Sequence, residues 1–269
     1  MFMRTEDTAS VLKRRVNGRS VHRRHTVKTD GRDLFLFGYN AHKLERMPGE
    51  DLQTTAGSEL RRHPLRGEWS IYAAGRQTRP FNPSAAESPP NSTVETHAAT
   101  GACEVIVYSP KAEGSLATLS QDRRRLLLEA WIDRYESMFA AGCAFVLPFE
   151  NRGDEVGVTL HHPHGQIYGL PVVPQPQQTA LDAFENGYDL AADVETWGAP
   201  FWIAEAGGMV SYAPRFARFP YEVWISAQSP VSGPWALSEE QADGFAHLLG
   251  DTVRRYDAFF GRETPCMLR

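Results

Sequence analysis

Cysteine is scarce in this chain, and what there is does not form a framework. Cys103, Cys143 and Cys266 are far apart and odd in number, and no Cys-x-x-Cys pair occurs. That pattern argues against a disulfide scaffold and fits a reducing cytoplasm. Long apolar runs are missing too. No stretch approaches the roughly eighteen residues of a membrane span, so no membrane association is expected. Positive charge is not in excess: the net charge is −5, which gives the molecule no general pull towards nucleic acid. Residues 80–102 hold hardly an apolar side chain and are rich in Pro, Ser, Asn, Thr and Ala. They read as a loop or linker.

What is present suits a globular protein. The 269 residues are 42% hydrophobic, enough for one large or two medium domains with a real core. The first thirty residues stand apart, with Arg4, Lys13, Arg14, Arg15, Arg19, Arg23, Arg24 and Lys28 and few apolar side chains. Glu6 and Asp7 and the lack of an amphipathic pattern weigh against a transit peptide. A solvated or disordered basic extension is the expectation.

The run His161-His162-Pro163-His164-Gly165-Gln166-Ile167-Tyr168 is the densest in chemistry. As a β-strand it projects His162, His164 and Gln166 from one face. Gly165, on the other face, leaves room for a close approach. Two imidazoles and a neutral amide in a row suit attack on phosphorus. One imidazole serves as nucleophile, and the amide holds a phosphate oxygen without supplying a proton. A strand that merely carries histidines on a polar face is the plainer reading, and it fits three His, one Pro and one Gly in eight residues poorly. His161 falls off the motif face and is expected to point away.

His-Pro-His-Gly-Gln-Ile-Tyr resembles the active-site signature of the galactose-1-phosphate uridylyltransferases, the transferase branch of the histidine-triad superfamily. The hydrolase branch usually has a third histidine where Gln166 stands. Arg62-His63-Pro64-Leu65-Arg66-Gly67-Glu68-Trp69 with Arg76-Gln77-Thr78-Arg79-Pro80 resembles the family's N-terminal signature. Phe149-Glu150-Asn151-Arg152-Gly153, leading through Gly157-Val158-Thr159, resembles the segment before the histidines. Pro214-Arg215-Phe216-Ala217-Arg218-Phe219-Pro220-Tyr221-Glu222-Val223 resembles the start of the second half.

The chain also repeats itself. A strand at Glu104-Val105-Ile106-Val107 is followed by Ser109-Pro110, Leu119-Ser120 and a helix ending near Phe139. A strand at Glu222-Val223-Trp224-Ile225 is followed by Ser229-Pro230, Leu237-Ser238 and a helix ending near Phe260. In each copy the serine follows the glutamate by sixteen residues. Ser120 is an expected N-cap, and Ser238 with Gln241 an expected capping box. The helical stripes Leu127, Ala130, Trp131, Tyr135, Met138 and Phe245, Leu248, Leu249, Val253, Tyr256 read as core. The expected fold is α+β: two histidine-triad-like halves, an antiparallel sheet with flanking helices, the second repeat truncated. The expected boundaries are 1–58 for the basic extension and a short strand, 59–175 for the first half, and 176–269 for a linker and the incomplete second half. The second repeat is expected to lack its last two strands, which by resemblance carry another His-x-His row and part of the hexose-1-phosphate site.

The resemblance implies a reaction and its residues. His164 attacks the α-phosphorus of UDP-glucose, releasing glucose 1-phosphate, and a hexose 1-phosphate such as galactose 1-phosphate then takes the UMP. The attacking imidazole must be neutral, its far nitrogen keeping its proton by donating to a main-chain carbonyl. Gln166 is a fixed donor to the phosphate. Arg76, Arg79, Asn151 and Thr159 match phosphate neighbours, with His162 also in the substrate site. Glu150 is expected to be structural rather than catalytic. The family position of His162 often binds zinc with a Cys-x-x-Cys pair. Residues 80–102 hold no cysteine, and His97 would be only a second ligand where zinc wants four. No zinc is expected, and His162 should bond to main chain or phosphate. A second, iron-type site needs a glutamate soon after the motif, where Gln175, Gln177 and Gln178 stand; it too is expected to be absent. The implied partners are small-molecule substrates and a second copy of the chain as a homodimer. Two alternatives stay open: a catalytically impaired relative acting as a binding protein, and a dinucleotide phosphorylase or hydrolase.

Overall fold

The computed structural model describes residues 7–28, 32–43, 58–73, 95–158 and 160–269. Its first elements correct the expectation of a solvated arm. β1 (Thr8–Val16), β2 (Arg19–Val27) and β3 (Asp33–Gly38) form an antiparallel sheet in that order. The turn between β1 and β2 is Asn17-Gly18, both at positive φ (50° and 74°), the dihedral sign of a type I′ hairpin turn. β4 (Ser58–Arg62), β5 (Trp69–Ala73) and β6 (Thr96–Ala98) make a second sheet with β4 in the centre.

β7 (Ala102–Val107) leads to α1 (Gln121–Ala140), and then come β8 (Phe145–Arg152) and β9 (His164–Leu170). Ser120 caps α1 by accepting from the Arg123 amide. Short helices α2 (Gln175–Glu185) and α3 (Leu190–Trp197) precede β10 (Trp202–Ala206), β11 (Met209–Tyr212) and β12 (Trp224–Ala227). These three strands form a further antiparallel sheet. α4 (Glu239–Phe260) begins with the expected capping box of Ser238 and Gln241. β13 (Cys266–Leu268) ends the chain by pairing antiparallel with β8, giving the sheet order β13-β8-β9-β7. The architecture is therefore mixed α+β, with antiparallel sheets and few helices. No helix among the described residues is long and apolar enough to cross a membrane.

α1 and α4 pack together at the centre. Leu127, Leu128, Trp131, Ile132, Leu248, Leu249 and Val253 are all buried in one cluster. α1 is also covered by the N-terminal sheet, where Val16 and Val21 pack on Leu126. A helix wrapped on so many sides must bury charge as well as apolar surface. Arg124, Arg125, Glu129, Asp133 and Arg134 are buried, and each has a partner. Arg124 donates to the carbonyls of Ala246, Leu116 and Leu119. Glu129 bonds Arg125 and accepts from Arg14 of β1 at 3.2 Å. Arg23 of β2 reaches Asp133 at 2.8 Å, and Arg134 donates through Nε and Nη2 to the two carboxylate oxygens of Glu104 of β7. Two arginines of the supposed tail are thus the counter-charges of the central helix.

Removing one partner of a buried pair leaves the other charge uncompensated. Glu129→Ala should lower the unfolding free energy by about 3 kcal/mol or more. Arg19→Ala, which breaks the exposed pair with Asp122, should cost less than about 1 kcal/mol. Urea denaturation of the two variants checks this; equal losses would mean that the α1 network is not the stabilising one.

Candidate active site

The site is built on β9, between β7 and β8. Antiparallel pairing sets Val107 opposite His164, Val105 and Phe149 opposite Gln166, and Cys103 and Leu147 opposite Tyr168. Directly paired residues share a face, so His164, Gln166 and Tyr168 stand in one row flanked by those side chains. The alternation of β8 puts Asn151 on the same face, two residues beyond Phe149 and at the His164 end. Ile167 (fully buried) and Gly169 point the other way, against Met138 of α1. On the outer face Val105 and Val107 are 61% and 55% exposed, an apolar floor beside the histidine.

The strand begins only at His164, so His162 precedes it in a bend rather than within the row. Pro163 breaks the pattern: it has no N–H to donate to a ladder. The bend is tied to main chain at three points. His164 Nδ1 lies 2.7 Å from the His162 carbonyl, and His162 Nε2 lies 2.6 Å from the Ser109 carbonyl. The Tyr108 amide donates to the Pro163 carbonyl at 3.1 Å. A carbonyl only accepts, so Nδ1 of His164 carries the proton. In the neutral ring that leaves the lone pair on Nε2. The tautomer is the one a nucleophile needs.

His97, the other candidate zinc ligand, lies in β6 against Glu95 at 3.0 Å, in a different sheet. Among the described residues no group of three or more His, Cys, Asp or Glu could hold a metal ion. Arg76 and Arg79 (within residues 74–94) and Thr159 lie outside the described residues. The structure therefore brings together His164, Gln166 and Asn151, with His162 tied down behind them.

Two groups escaped the sequence reading of the site. Tyr168 donates from its hydroxyl to Gln166 Oε1 at 3.1 Å, and the Phe149 ring meets Tyr168 edge-on at 4.9 Å. Its signal was available, since Tyr168 is two residues from Gln166 on the same face. The second group lies behind β9. A Cβ on Gly165 would collide with the Tyr108 hydroxyl and the Phe149 carbonyl, so only glycine lets the strand lie this close. Tyr108 in turn is hydrogen-bonded to Glu150, which is 6% exposed and whose Oε2 has no partner. Burial pushes the Glu150 carboxyl up to about 7, against the opposing pull of the Tyr108 hydrogen bond and the Arg152 guanidinium. Arg152 is itself engaged by both oxygens of Asp257, at 2.9 Å each.

The comparisons with known proteins agree with this geometry. The family described as galactose-1-phosphate uridyl transferase, N-terminal domain, matches residues 82–174, the segment that ends just after the histidine strand. A galactose-1-phosphate uridylyltransferase of Thermotoga maritima is 29% identical over 251 residues, covering 78% of this chain and 79% of the relative. One of Streptomyces lividans is 30% identical over 276 residues, covering 89% of this chain and 77% of the relative. The chain belongs to the galactose-1-phosphate uridylyltransferase family. Its fold is that of a solved uridylyltransferase, with a TM-score of 0.65 at 24% identity over 78% of each chain. An Arabidopsis thaliana ADP-glucose phosphorylase shares the fold at a TM-score of 0.55 and 21% identity, over 76% of this chain and 79% of that one. Within the uridylyltransferase family, then, this chain's histidine strand rests on a buried tyrosine and carboxyl.

The buried carboxyl sets a pH dependence. With its pKa raised from 4.5 to about 7, folded Glu150 keeps a proton that the unfolded chain has lost. Stability is full below about pH 4.5 and falls as pH rises to about 7. Glu150→Gln, neutral throughout, should exceed the wild type in stability above pH 7 by up to about 3 kcal/mol. The advantage should shrink towards pH 5. Thermal melts across pH 5–8 check it, and a difference independent of pH would show that this carboxyl is not perturbed.

Proposed function

We propose that this chain transfers UMP from UDP-glucose to a hexose 1-phosphate, galactose 1-phosphate in the first instance, through a uridylyl group held on His164. One observation carries the reading: the Nδ1 of His164 is committed to the His162 carbonyl at 2.7 Å, which leaves Nε2 free to attack. The lone pair of Nε2 forms a bond to the α-phosphorus. The bond from that phosphorus to the bridging oxygen breaks, and glucose 1-phosphate leaves with the electron pair. The acceptor's phosphate oxygen then displaces the imidazole, restoring the neutral ring and releasing the new nucleotide sugar.

Charge spreads over the phosphate oxygens in both steps, so fixed donors supply the stabilisation. Gln166 and Asn151 share the face of His164 and fit that work; Arg76, Arg79 and Thr159 are assigned to the same phosphates by family position. Val105 and Val107 offer a flat apolar floor of the kind a nucleobase or ribose covers. The names of its uridylyltransferase relatives, together with this face, support the choice of substrates.

The finer architecture belongs to the same reading. β7–α1–β8 and β12–α4–β13 are two copies of one unit, each with a glutamate before the strand's core and a serine N-cap sixteen residues on. The pairing of β13 with β8 joins copy to copy, and a division near residue 175 separates the halves. The working form is a homodimer in a reducing cytoplasm, in keeping with three free cysteines.

Intact-protein mass spectrometry after incubation with UDP-glucose tests the reading. An acid-labile UMP adduct is expected on the wild type and not on His164→Ala. A folded wild type that gains no adduct from UDP-glucose, or from other nucleotide sugars, would remove the transferase function.

A further inference from the structure

We infer that Tyr168 is a positioning residue for the Gln166 amide, fixing which end of that amide faces the phosphate attacked by His164. The inference deepens the nucleotidyl-transfer reading above and rests on it for its chemical meaning. Its geometry stands on its own.

A glutamine amide is planar and carries an acceptor and a donor on one carbon. Its last torsion is broad and roughly two-fold, so a half-turn costs little unless a neighbour forbids it. The two orientations have opposite consequences at a phosphate: the NH2 donates to an anionic oxygen, whereas the carbonyl repels it. A lone glutamine between His164 and Tyr168 would sample both. Here the Tyr168 hydroxyl donates to Oε1 at 3.1 Å; a phenol donates better than it accepts, so this orientation is favoured over the flipped one, in which the NH2 would have to donate to the phenol oxygen. The nitrogen is then turned away from Tyr168, towards the side where His164 stands two residues earlier on the same face.

The tyrosine is itself held. Its ring meets the Phe149 ring edge-on, with centroids 4.9 Å apart and planes at 89°, and Phe149 is the cross-strand partner of Gln166. The orienting hydroxyl therefore belongs to the β8–β9 ladder rather than to a loop. A donor set in place before the substrate arrives needs no reorganisation during the reaction, which is where electrostatic stabilisation gains most. The role assigned to Tyr168 passes through Gln166 and requires no contact of its own with the phosphate.

The test pairs two measurements on Tyr168→Phe, which keeps the ring and removes the hydroxyl. The first is the single-turnover rate of adduct formation from UDP-glucose. It should fall about five- to tenfold at saturating substrate, with the half-saturating concentration and the melting temperature little changed. In a Gln166→Ala background the same substitution should cost nothing further, because the group it orients is gone. The second is the 15N relaxation of the Gln166 side-chain NH2 in the ligand-free protein. Order should be high in the wild type and lost in Tyr168→Phe. Equal amide order in the two proteins would overturn the inference, as would additive rate losses in the double variant. A wild type that forms no adduct sinks the transfer reading, while the relaxation measurement still decides the role of Tyr168.

Discussion

Everything else in the structure hangs on the burial of α1. This helix meets α4 on one side, the N-terminal sheet on another and the β8–β9 layer on a third. Five of its charged side chains are buried, and charges are kept in such a place only with partners. Those partners come from distant parts of the chain: Arg14 and Arg23 from the first hairpin, Glu104 from β7, and the carbonyl of Ala246 from α4. The ion pairs stabilise little in themselves, given the desolvation they require. Their weight lies in specificity, because any other docking of the hairpin would strip Arg14 from Glu129 and Arg23 from Asp133, leaving each buried carboxylate only its arginine neighbour on α1.

From that helix the consequences run outward to the chemistry. Met138 of α1 packs on Ile167 and Val146, which sets the depth of β9 in the layer. Depth matters because Gly165 leaves no room between the strand and Tyr108. Tyr108 then serves twice, through its hydroxyl against Glu150 behind the strand and through its amide to the Pro163 carbonyl. The His162 carbonyl, the acceptor for His164, lies within a bend held from both sides. The tautomer of His164 is thus fixed by main chain, and main chain is fixed by packing. A buried carboxyl is tolerated behind the site because it is neutral below about pH 7.

The sequence was most legible where spacing alone determines geometry. The period of two in β9 put His164 and Gln166 on one face, and both helix N-caps were readable from a serine before an apolar stripe. Family likeness came from the same short motifs. Legibility failed at residues 8–27, read as a solvated arm because they are basic and poor in apolar side chains. Asn17-Gly18 was a hairpin signal in plain view, overridden by composition. What no local pattern contains is the counter-charge: Arg14 and Glu129 are 115 residues apart, and only the fold says that they meet. The row containing His162 was extended one step too far, since Pro163 ends the ladder before it.

The face that results explains why an amide rather than a third imidazole suits group transfer. A histidine at position 166 could carry a proton to a leaving oxygen or pass one to water, and either would help water compete with the acceptor. An amide has no such proton to give at neutral pH. It can only donate a hydrogen bond, and only if its nitrogen faces the phosphate. That requirement costs nothing for a histidine, whose two ring nitrogens can both donate when it is charged, but it is a real constraint for a glutamine. Replacing the imidazole by an amide therefore calls for a neighbour that breaks the near-degeneracy of its two orientations. In this chain the hydroxyl of Tyr168 stands on the oxygen side of Gln166, held there by the ring of Phe149. On the proposed transfer reading, selectivity against water and the choice of the residue at 168 are then one constraint expressed at two positions.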